Sequence, residues 1–317
     1  MSAQRVAVLG GSGFVGSAVV QELADAGEVI SLSAPRLEPM AKSFQKTRPS
    51  LDVGAIECLV AELQGFDVVI NCAGDPDASA ADEERLKAAN SVLPLAVYEA
   101  SKRVGVRRFV HVSSAVVQGD RDALDDSRDW RSFSPYSRSK VLAEQWLLEA
   151  KEGATQLVIY RPPSVHAPRR AVTLKVARLA SSPLRSVAGS GSQPSPQTLL
   201  GNVASAISYL ATTADTPPEI VHHPWEGLSA ADLMRALGGR EPHHLPRSLC
   251  WTAVGMGRWA ERLVPRLAPY RRRVEVMWFG QGVATSWLDV KGWTPPHSGL
   301  DQWLDLTTEE RTIEGVA

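Results

Sequence analysis

A tyrosine and a lysine four residues apart are the pair in this sequence best suited to proton transfer. Tyr136 and Lys140 occur in the segment Tyr-Ser-Arg-Ser-Lys, and in a helix this spacing places both on one face. An ammonium group near a phenol favours the phenolate, so we expect Lys140 to lower the pKa of Tyr136 from about 10. Such a phenol can exchange a proton with an alcohol oxygen. The spacing also arises by chance, so the assignment depends on its context.

Two serines provide part of that context. Ser113 and Ser114 directly follow the apolar segment Phe109–Val112, and Ser114 precedes Tyr136 by 22 residues. A side chain at the carboxyl end of a parallel strand faces the ligand crevice. The hydroxyl can therefore hydrogen-bond a substrate oxygen beside the tyrosine. The alternative is a hydroxyl that only caps the end of the strand.

A glycine-rich turn follows the first apolar segment, Val6–Leu9. Without Cβ atoms, its backbone can turn tightly and approach a pyrophosphate, which then sits on the N–H groups of the next helix. The alternative is a tight turn that binds no ligand. The residues expected at the cofactor phosphates are Gly10, Gly13, Phe14, Val15 and Gly16.

The residues after the second apolar segment bear on the choice of cofactor. An acidic residue there would bind the adenosine ribose of NAD, but the sequence has Ser33, with Arg36 close by. A hydroxyl and a guanidinium suit the additional phosphate of NADP. We therefore predict NADP, with NAD as the alternative if Arg36 is only a solvated surface residue.

Apolar segments alternate with helical patterns through the first half of the chain. This alternation predicts an α/β fold with a doubly wound parallel sheet of the Rossmann type. The predicted strands are Val6–Leu9, Val29–Leu32, Asp67–Ile70, Arg108–Val112 and Leu157–Tyr160, and the predicted helices are Phe14–Ala26, Glu83–Arg103 and Tyr136–Ala150.

The second half of the chain has a different character. Residues 181–196 are rich in Ser, Pro and Gly and are predicted to form a loop, and seven of the nine tryptophans lie beyond residue 220. We predict a dinucleotide-binding domain of residues 1–167 and about 198–225. A smaller C-terminal substrate-binding subdomain is predicted to comprise about 168–197 and 226–317.

The overall charge removes the electrostatic case for a nucleic-acid or anionic-membrane binder. Lys and Arg total 34, Asp and Glu total 35, and the net charge is −1. The three cysteines are too few and too far apart for a disulfide framework or a metal site, so we expect a cytoplasmic protein without a metal. The apolar stretch 249–263 is interrupted by charges and is interpreted as an amphipathic helix.

Together these motifs resemble the short-chain dehydrogenase/reductase superfamily, in particular its extended branch of NAD-dependent epimerases/dehydratases. The resemblance implies a catalytic set of Ser114, Tyr136 and Lys140, in which the lysine also holds the cofactor ribose. It further implies cofactor contacts at the adenine, along the third strand and helix, and beside the nicotinamide. The residues at these places are Asp52 and Val53; Cys72, Ala73, Gly74 and Asn90; and Pro163 and Val165.

Two positions depart from the family pattern. Ala115-Val116-Val117 follows Ser114 where nucleotide-sugar dehydratases of this branch have an Asp-Glu pair, so water elimination lacks its acid and base. His166 stands where the family usually has a tyrosine. Its imidazole either contacts substrate or serves only the structure of its loop.

The sequence thus predicts hydride transfer between NAD(P) and a small-molecule alcohol or ketone. Alternatives are a nucleotide-sugar epimerase with tightly bound NAD and a non-catalytic protein that senses dinucleotides. A homodimer is also predicted, because helices 83–103 and 136–150 carry more apolar residues than one sheet face requires. The competing explanation is that these residues all pack within one chain.

Overall fold

The computed structural model describes residues 4–24, 27–35, 48–78, 80–264, 267–304 and 306. Arg36, the proposed NADP contact, lies outside the described residues. Six strands form one parallel sheet, and they are β1 (Arg5–Leu9), β2 (Glu28–Leu32), β3 (Val68–Asn71), β4 (Arg108–Val112), β6 (Gln156–Arg161) and β10 (Ile220–His222). Across the sheet their order is β10-β6-β4-β3-β1-β2.

The predicted Rossmann-type α/β fold is confirmed by this sheet, and the five predicted strands all belong to it. The chain leaves β1 toward β2 on one side and returns to β3 on the other. This reversal opens a crevice beyond the carboxyl ends of β1 and β3, which is where doubly wound sheets bind their ligands.

Helices cover both faces of the sheet because its strands are apolar on both sides. One core packs under Leu59, Tyr98 and Trp146, and the other under Val19 and Ile207. The helices are α1 (Phe14–Leu23), α2 (Val53–Glu62), α3 (Glu83–Lys87), α4 (Leu93–Arg103), α5 (Pro135–Glu149), α6 (Ala171–Ser181), α7 (Leu200–Thr212), α8 (Ala230–Gly238), α9 (Arg247–Leu263), α10 (Ala268–Phe279) and α11 (Trp287–Val290).

The predicted helix 83–103 is present but is not uniform. A π-helical turn, Ala88–Val92, joins α3 to α4. Pro94 follows within the first turn of α4, where its missing N–H is tolerated. Wide turns of this kind are frequent at functional sites, and this one contains Asn90.

A third, smaller core lies among the segments after residue 170. It joins α6 and α8, with Ala180, Leu233 and Trp303 among its buried residues. The prediction that 181–196 is entirely loop is wrong in part, since β8 (Ser186–Ala188) lies within it and pairs with β11 (His243–Leu245). The other short strands are β5 (Ala123–Leu124), β7 (Ser164–His166), β9 (Gln197–Leu199) and β12 (Gly282–Val283).

Candidate active site

The glycine-rich turn is folded tightly against the loop that follows β3. Gly10 has φ +76°, and a Cβ there would lie 2.8 Å from the backbone of Ala73. At Gly16 a Cβ would come within 2.1 Å of the Gly10 carbonyl oxygen, and the Gly13 N–H donates to the same oxygen at 2.9 Å. Side chains at these positions would force the turn open. The sequence therefore places glycine where the geometry requires it.

The same turn leaves the N-terminus of α1 available to an anion. Gly13 precedes the helix and provides no side-chain cap, and Phe14 and Val15 form its first turn. The first N–H groups of a helix have no partner within the helix and attract negative charge. Together with the cradle at Gly10 and Gly16, this geometry fits the pyrophosphate of a dinucleotide.

The far end of the crevice carries no carboxylate directly after β2. Ser33 follows that strand and is exposed. Asp52 is the N-cap of α2, where its Oδ1 accepts a hydrogen bond from the Gly54 N–H at 3.1 Å. Val53 is 69% exposed, so its side chain is accessible to an apolar ring such as adenine. These positions are compatible with an adenine site, which stays a prediction.

Asn90 ties the loop after β3 to α5. Its Oδ1 accepts from the Asp75 N–H at 2.8 Å, and its Nδ2 donates to the Asp75 carbonyl and to Ser139 Oγ. A Cβ on Gly74 would lie 2.6 Å from Asn90 Oδ1 and 3.7 Å from Lys140 Nζ. Asn90 therefore holds the loop containing Gly74 beside Lys140, and its direct contact with a cofactor stays a prediction.

Ser114, Tyr136 and Lys140 converge at the carboxyl edge of the sheet. Tyr136 lies in the first turn of α5, and Lys140 Nζ donates to the Val112 carbonyl at the end of β4 at 3.2 Å. The side chain of Ser114 lies close enough to Tyr136 to lower the pKa of its phenol. The fold thus brings these three residues together, whereas the sequence shows only that their spacing along the chain is suitable.

The loops after β4 and β6 meet beside these three residues. The Ala115 N–H donates to the Pro162 carbonyl at 2.8 Å, which holds the segment of Pro163 next to that of Ser114. Val165, in β7, is buried. Pro163 therefore lies near Ser114, and the contact of Pro163 and Val165 with a nicotinamide stays a prediction.

Burial governs the titration of the tyrosine. It raises the pKa of Tyr136 to about 12, and the nearby cation that opposes this rise is Arg170, helped by the nearby Ser114 side chain. The prediction that Lys140 holds this pKa down is therefore wrong. Burial lowers the pKa of Lys140 itself to about 8, although Glu144 and Cys72 act against that change.

Arg170 is a candidate functional residue that the sequence did not single out. Its guanidinium stacks on the Phe14 ring, with Cζ 3.9 Å from the ring centroid, and its Nη1 is buried without a hydrogen-bond partner. It lies close enough to Tyr136 and His166 to influence the pKa of both. The only signal in the sequence is an Arg-Arg pair, which does not show which arginine turns inward.

A buried carboxylate, that of Glu144, joins several segments of the chain next to the site. Glu144 pairs with Arg161 at 2.6 Å, and both side chains are fully buried. The same carboxylate accepts from Ser113 Oγ at 2.6 Å and from Trp130 Nε1 at 2.7 Å. Glu144 follows Lys140 by four residues, so helical spacing could have identified it.

His166 serves its loop. Nε2 lies 2.8 Å from Gln197 Oε1 and Nδ1 lies 3.2 Å from Thr173 Oγ1, so both ring nitrogens have protein partners. Burial lowers its pKa to about 4, which keeps the ring neutral. These contacts support the interpretation that His166 serves the structure of its loop, rather than the alternative that it contacts substrate.

Residues 6–221 match the model of the NAD dependent epimerase/dehydratase family. The chain belongs to this family. A ketoreductase of Stigmatella aurantiaca, 4-hydroxy-2-methyl-3-oxo-4-farnesyl-3,4-dihydroquinoline-1-oxide ketoreductase, is 32% identical over 167 residues, covering 50% of this chain and 49% of the relative. UDP-glucose 4-epimerase of Azospirillum brasilense is 32% identical over 159 residues, covering 46% and 44%.

The chain spans about half the length of the curated relatives it matches. The likeness to solved structures extends further and concerns the fold. UDP-glucose 4-epimerase of Thermus thermophilus, solved with NAD, superposes with a TM-score of 0.62 at 20% identity, covering 99% of this chain and 100% of that one.

Proposed function

We propose that this protein is an NAD(P)-dependent oxidoreductase that interconverts a secondary alcohol and a ketone. The observation that carries the proposal is the convergence of Ser114, Tyr136 and Lys140 beside the glycine-rich turn. Both features are needed. A dinucleotide site without a proton donor can only bind the cofactor, and a tyrosine without a hydride source cannot reduce a ketone. The family includes reductases and dehydrogenases with which this chain shares sequence.

The proton chemistry belongs to three side chains. Ser114 Oγ and the Tyr136 hydroxyl hydrogen-bond the substrate oxygen, and Tyr136 gives its proton to that oxygen in reduction or accepts it in oxidation. A bound nicotinamide supplies or accepts the hydride at the adjacent carbon. Lys140 holds the cofactor ribose, and Arg170 adds positive charge that favours the tyrosinate left after proton donation.

The cofactor proposed is NADP, with NAD as the alternative. The support is Ser33, which stands where a carboxylate would otherwise repel the 2′-phosphate and bind the ribose of NAD. The phosphates are assigned to Gly10, Gly13 and the N-terminus of α1, because this cradle has room for backbone contact only.

The substrate is assigned to the crevice between the sheet edge and the third core. Segments 168–197 and 226–317, proposed as the substrate-binding subdomain, border the site through Arg170 and through Trp303, whose ring centroid lies 5.3 Å from that of His166. Water elimination is not proposed, because Ala115, Val116 and Val117 supply no acid or base.

Epimerisation is the second candidate, favoured by the likeness to UDP-glucose 4-epimerase. It uses the same three residues but oxidises and re-reduces one carbon, so it consumes no cofactor. A dinucleotide sensor would bind cofactor and turn over nothing.

The test is a panel of ketones and secondary alcohols with NADPH and NADH, using wild type and Tyr136→Phe. We expect stoichiometric cofactor oxidation with wild type and a loss of turnover of about 10²- to 10⁴-fold in the variant, with unchanged cofactor affinity. Purification with bound oxidised cofactor, and product formed without net cofactor use, would indicate the epimerase. Activity within a few-fold of wild type in Tyr136→Phe would contradict the assigned role.

A further inference from the structure

Helix α9 presents an apolar stripe that is mostly exposed in the described part of the chain. The helix has 17 residues, of which Cys250 and Val254 are buried. Leu249, Met256 and Leu263 recur every seven residues, and Trp259 lies on the same face. Their exposed fractions are 56%, 69%, 69% and 64%. So many large apolar side chains on one solvent-facing helix mark a surface that binds something.

The stripe belongs to a helical hairpin with a fixed structure. Helices α9 and α10 pack together, with the Trp251 and Phe279 rings stacked at 4.1 Å. The Trp278 Nε1 donates to Ser186 Oγ, which attaches the hairpin to β8. Tyr270 and Val274 add further exposed apolar area on α10. The stripe is therefore presented by an anchored element.

The hairpin is strongly basic although the whole chain has a net charge of −1. Residues 247–279 contain seven arginines and two glutamates. Both glutamates are engaged inside the hairpin, Glu261 with Arg271 at 2.6 Å and Glu275 with Arg258 at 2.7 Å. The exposed arginines Arg247, Arg262 and Arg273 have no carboxylate partner among the residues that the structure describes.

We propose that the α9–α10 hairpin binds the surface of a lipid bilayer that contains anionic lipids. The Leu249–Leu263 stripe would enter the boundary between headgroups and acyl chains, where Trp259 is well suited to lie. The arginines beside it would contact lipid phosphates, their aliphatic stems lying along the apolar surface. None of the helices in the described part of the chain combines the length and apolar character needed to span a membrane.

The charge of the hairpin argues for lipid rather than for a second copy of the chain. A two-fold interface built on this surface would bring the two sets of arginines toward each other with no carboxylate left to pair them. An anionic membrane instead complements both features at once. The composition predicts no membrane partner because it averages charge over the whole chain, whereas the present proposal rests on the local excess of arginine in the hairpin.

Vesicle sedimentation tests the proposal on the full-length protein without cofactor or substrate. We expect binding to vesicles of phosphatidylcholine mixed with phosphatidylglycerol, much weaker binding to pure phosphatidylcholine, and a loss of affinity as salt is raised. Blue-shifted tryptophan emission on vesicle addition, absent in Trp259→Phe, would place that side chain at the lipid.

Matched variants separate the hairpin from general surface effects. Leu263→Glu is expected to weaken binding at least about tenfold, since it puts a charge into the apolar stripe. Val290→Glu makes an equivalent change at a site that is 71% exposed on α11 and should bind like wild type. Arg262→Gln should weaken binding to anionic vesicles by roughly fivefold.

Three results would overturn the proposal. One is equal partition of wild type and Leu263→Glu, and a second is equal binding to neutral and anionic vesicles. The third is a wild-type dimer that does not bind vesicles and that Leu263→Glu converts to a monomer, because it would assign the stripe to a second copy. Each result leaves the catalytic assignment untouched, since no catalytic residue lies on the hairpin.

Discussion

Arg170 lies close enough to Tyr136 to affect its pKa, and Lys140 follows Tyr136 by one helical turn on α5; neither cation forms an ion pair with a carboxylate in the described part of the chain. Lys140 responds to burial with a lowered pKa, whereas a guanidinium keeps its charge at neutral pH. Arg170 is therefore the more dependable source of positive charge beside Tyr136. The two cations come from different helices, Lys140 from α5 and Arg170 from the N-cap of α6.

Replacing Arg170 by Gln should raise the pKa of Tyr136 and reduce turnover by roughly tenfold, because a neighbouring positive charge is lost. The pH profile of kcat is the measurement, and its limb assigned to Tyr136 should move to higher pH. Arg169→Gln removes the same charge from the adjacent, exposed position and should leave the profile in place. Identical profiles for the two variants would assign Arg170 a structural role only.

Replacing Ser33 by Asp should reverse the cofactor preference. The carboxylate would repel the 2′-phosphate of NADPH and accept hydrogen bonds from the ribose of NADH, so we expect NADPH to bind about tenfold or more weakly. Dissociation constants for both cofactors, measured by fluorescence titration, provide the test. Parallel changes in the two constants would show that Ser33 lies away from the adenosine ribose.

Helix α5 organises the site at the scale of the elements. Ser134 and Ser137 form a capping box at its N-terminus, and Pro135 occupies the first turn. Tyr136, Lys140 and Glu144 then follow at four-residue intervals, so that one helix provides the proposed proton donor, the cation and the buried anion. Through Glu144 the helix also contacts β6 and the loop before α5. That segment, 120–131, is held by Trp130 and by the Arg161 bond to the Asp125 carbonyl, while most of its charged side chains stay exposed.

Changing Glu144 to Gln should destabilise the fold by about 3–5 kcal/mol, since Arg161 is left charged and fully buried without its anion. Chemical denaturation gives the free energy of unfolding. Glu57→Gln is the matched control, because its ion pair with Arg103 at 2.7 Å is exposed and contributes within about 0.5 kcal/mol. If Glu144→Gln reduced the free energy of unfolding no more than Glu57→Gln does, water or rearranged side chains would be compensating Arg161 for the lost carboxylate.

At the scale of the whole molecule, the two sheet-facing cores account for the apolar residues that suggested a homodimer. Leu93, Leu95, Ala96 and Tyr98 are buried within one chain, as are Val141, Leu142, Trp146 and Leu147. The competing explanation, packing inside a single chain, therefore covers all eight residues. A homodimer stays a prediction and would have to use other surfaces.

The stability of the whole fold should depend on pH through Lys140. Its pKa is lowered from 10.5 to about 8 in the folded chain, so between these values the unfolded chain binds more protons and stability rises with pH. The free energy of unfolding of wild type minus that of Lys140→Met should increase by about 2–3 kcal/mol from pH 8 to pH 10. Parallel curves for the two proteins would refute the burial of a charged lysine.

The sequence by itself determined the sheet, the glycine-rich turn and the pair Tyr136 and Lys140. These features depend on short-range patterns, such as alternation of apolar segments, missing Cβ atoms and one helical turn of spacing. Arg170, the orientation of His166 and the partners of Glu144 depended on contacts between segments far apart in the chain. Their residue types fit a surface as well as a core, and only packing distinguishes the two.

The same distinction applies to the surface of the molecule. The charges counted along the chain nearly cancel. The apolar residues of α4 and of α9 cannot be distinguished as buried or exposed from the sequence alone. The tertiary structure decided that the apolar residues of α4 are covered by the sheet and α5, whereas those of α9 face solvent beside unpaired arginines. The reason is that exposure is a property of the neighbours an element finds on folding, and a helical pattern specifies a face without specifying what covers it.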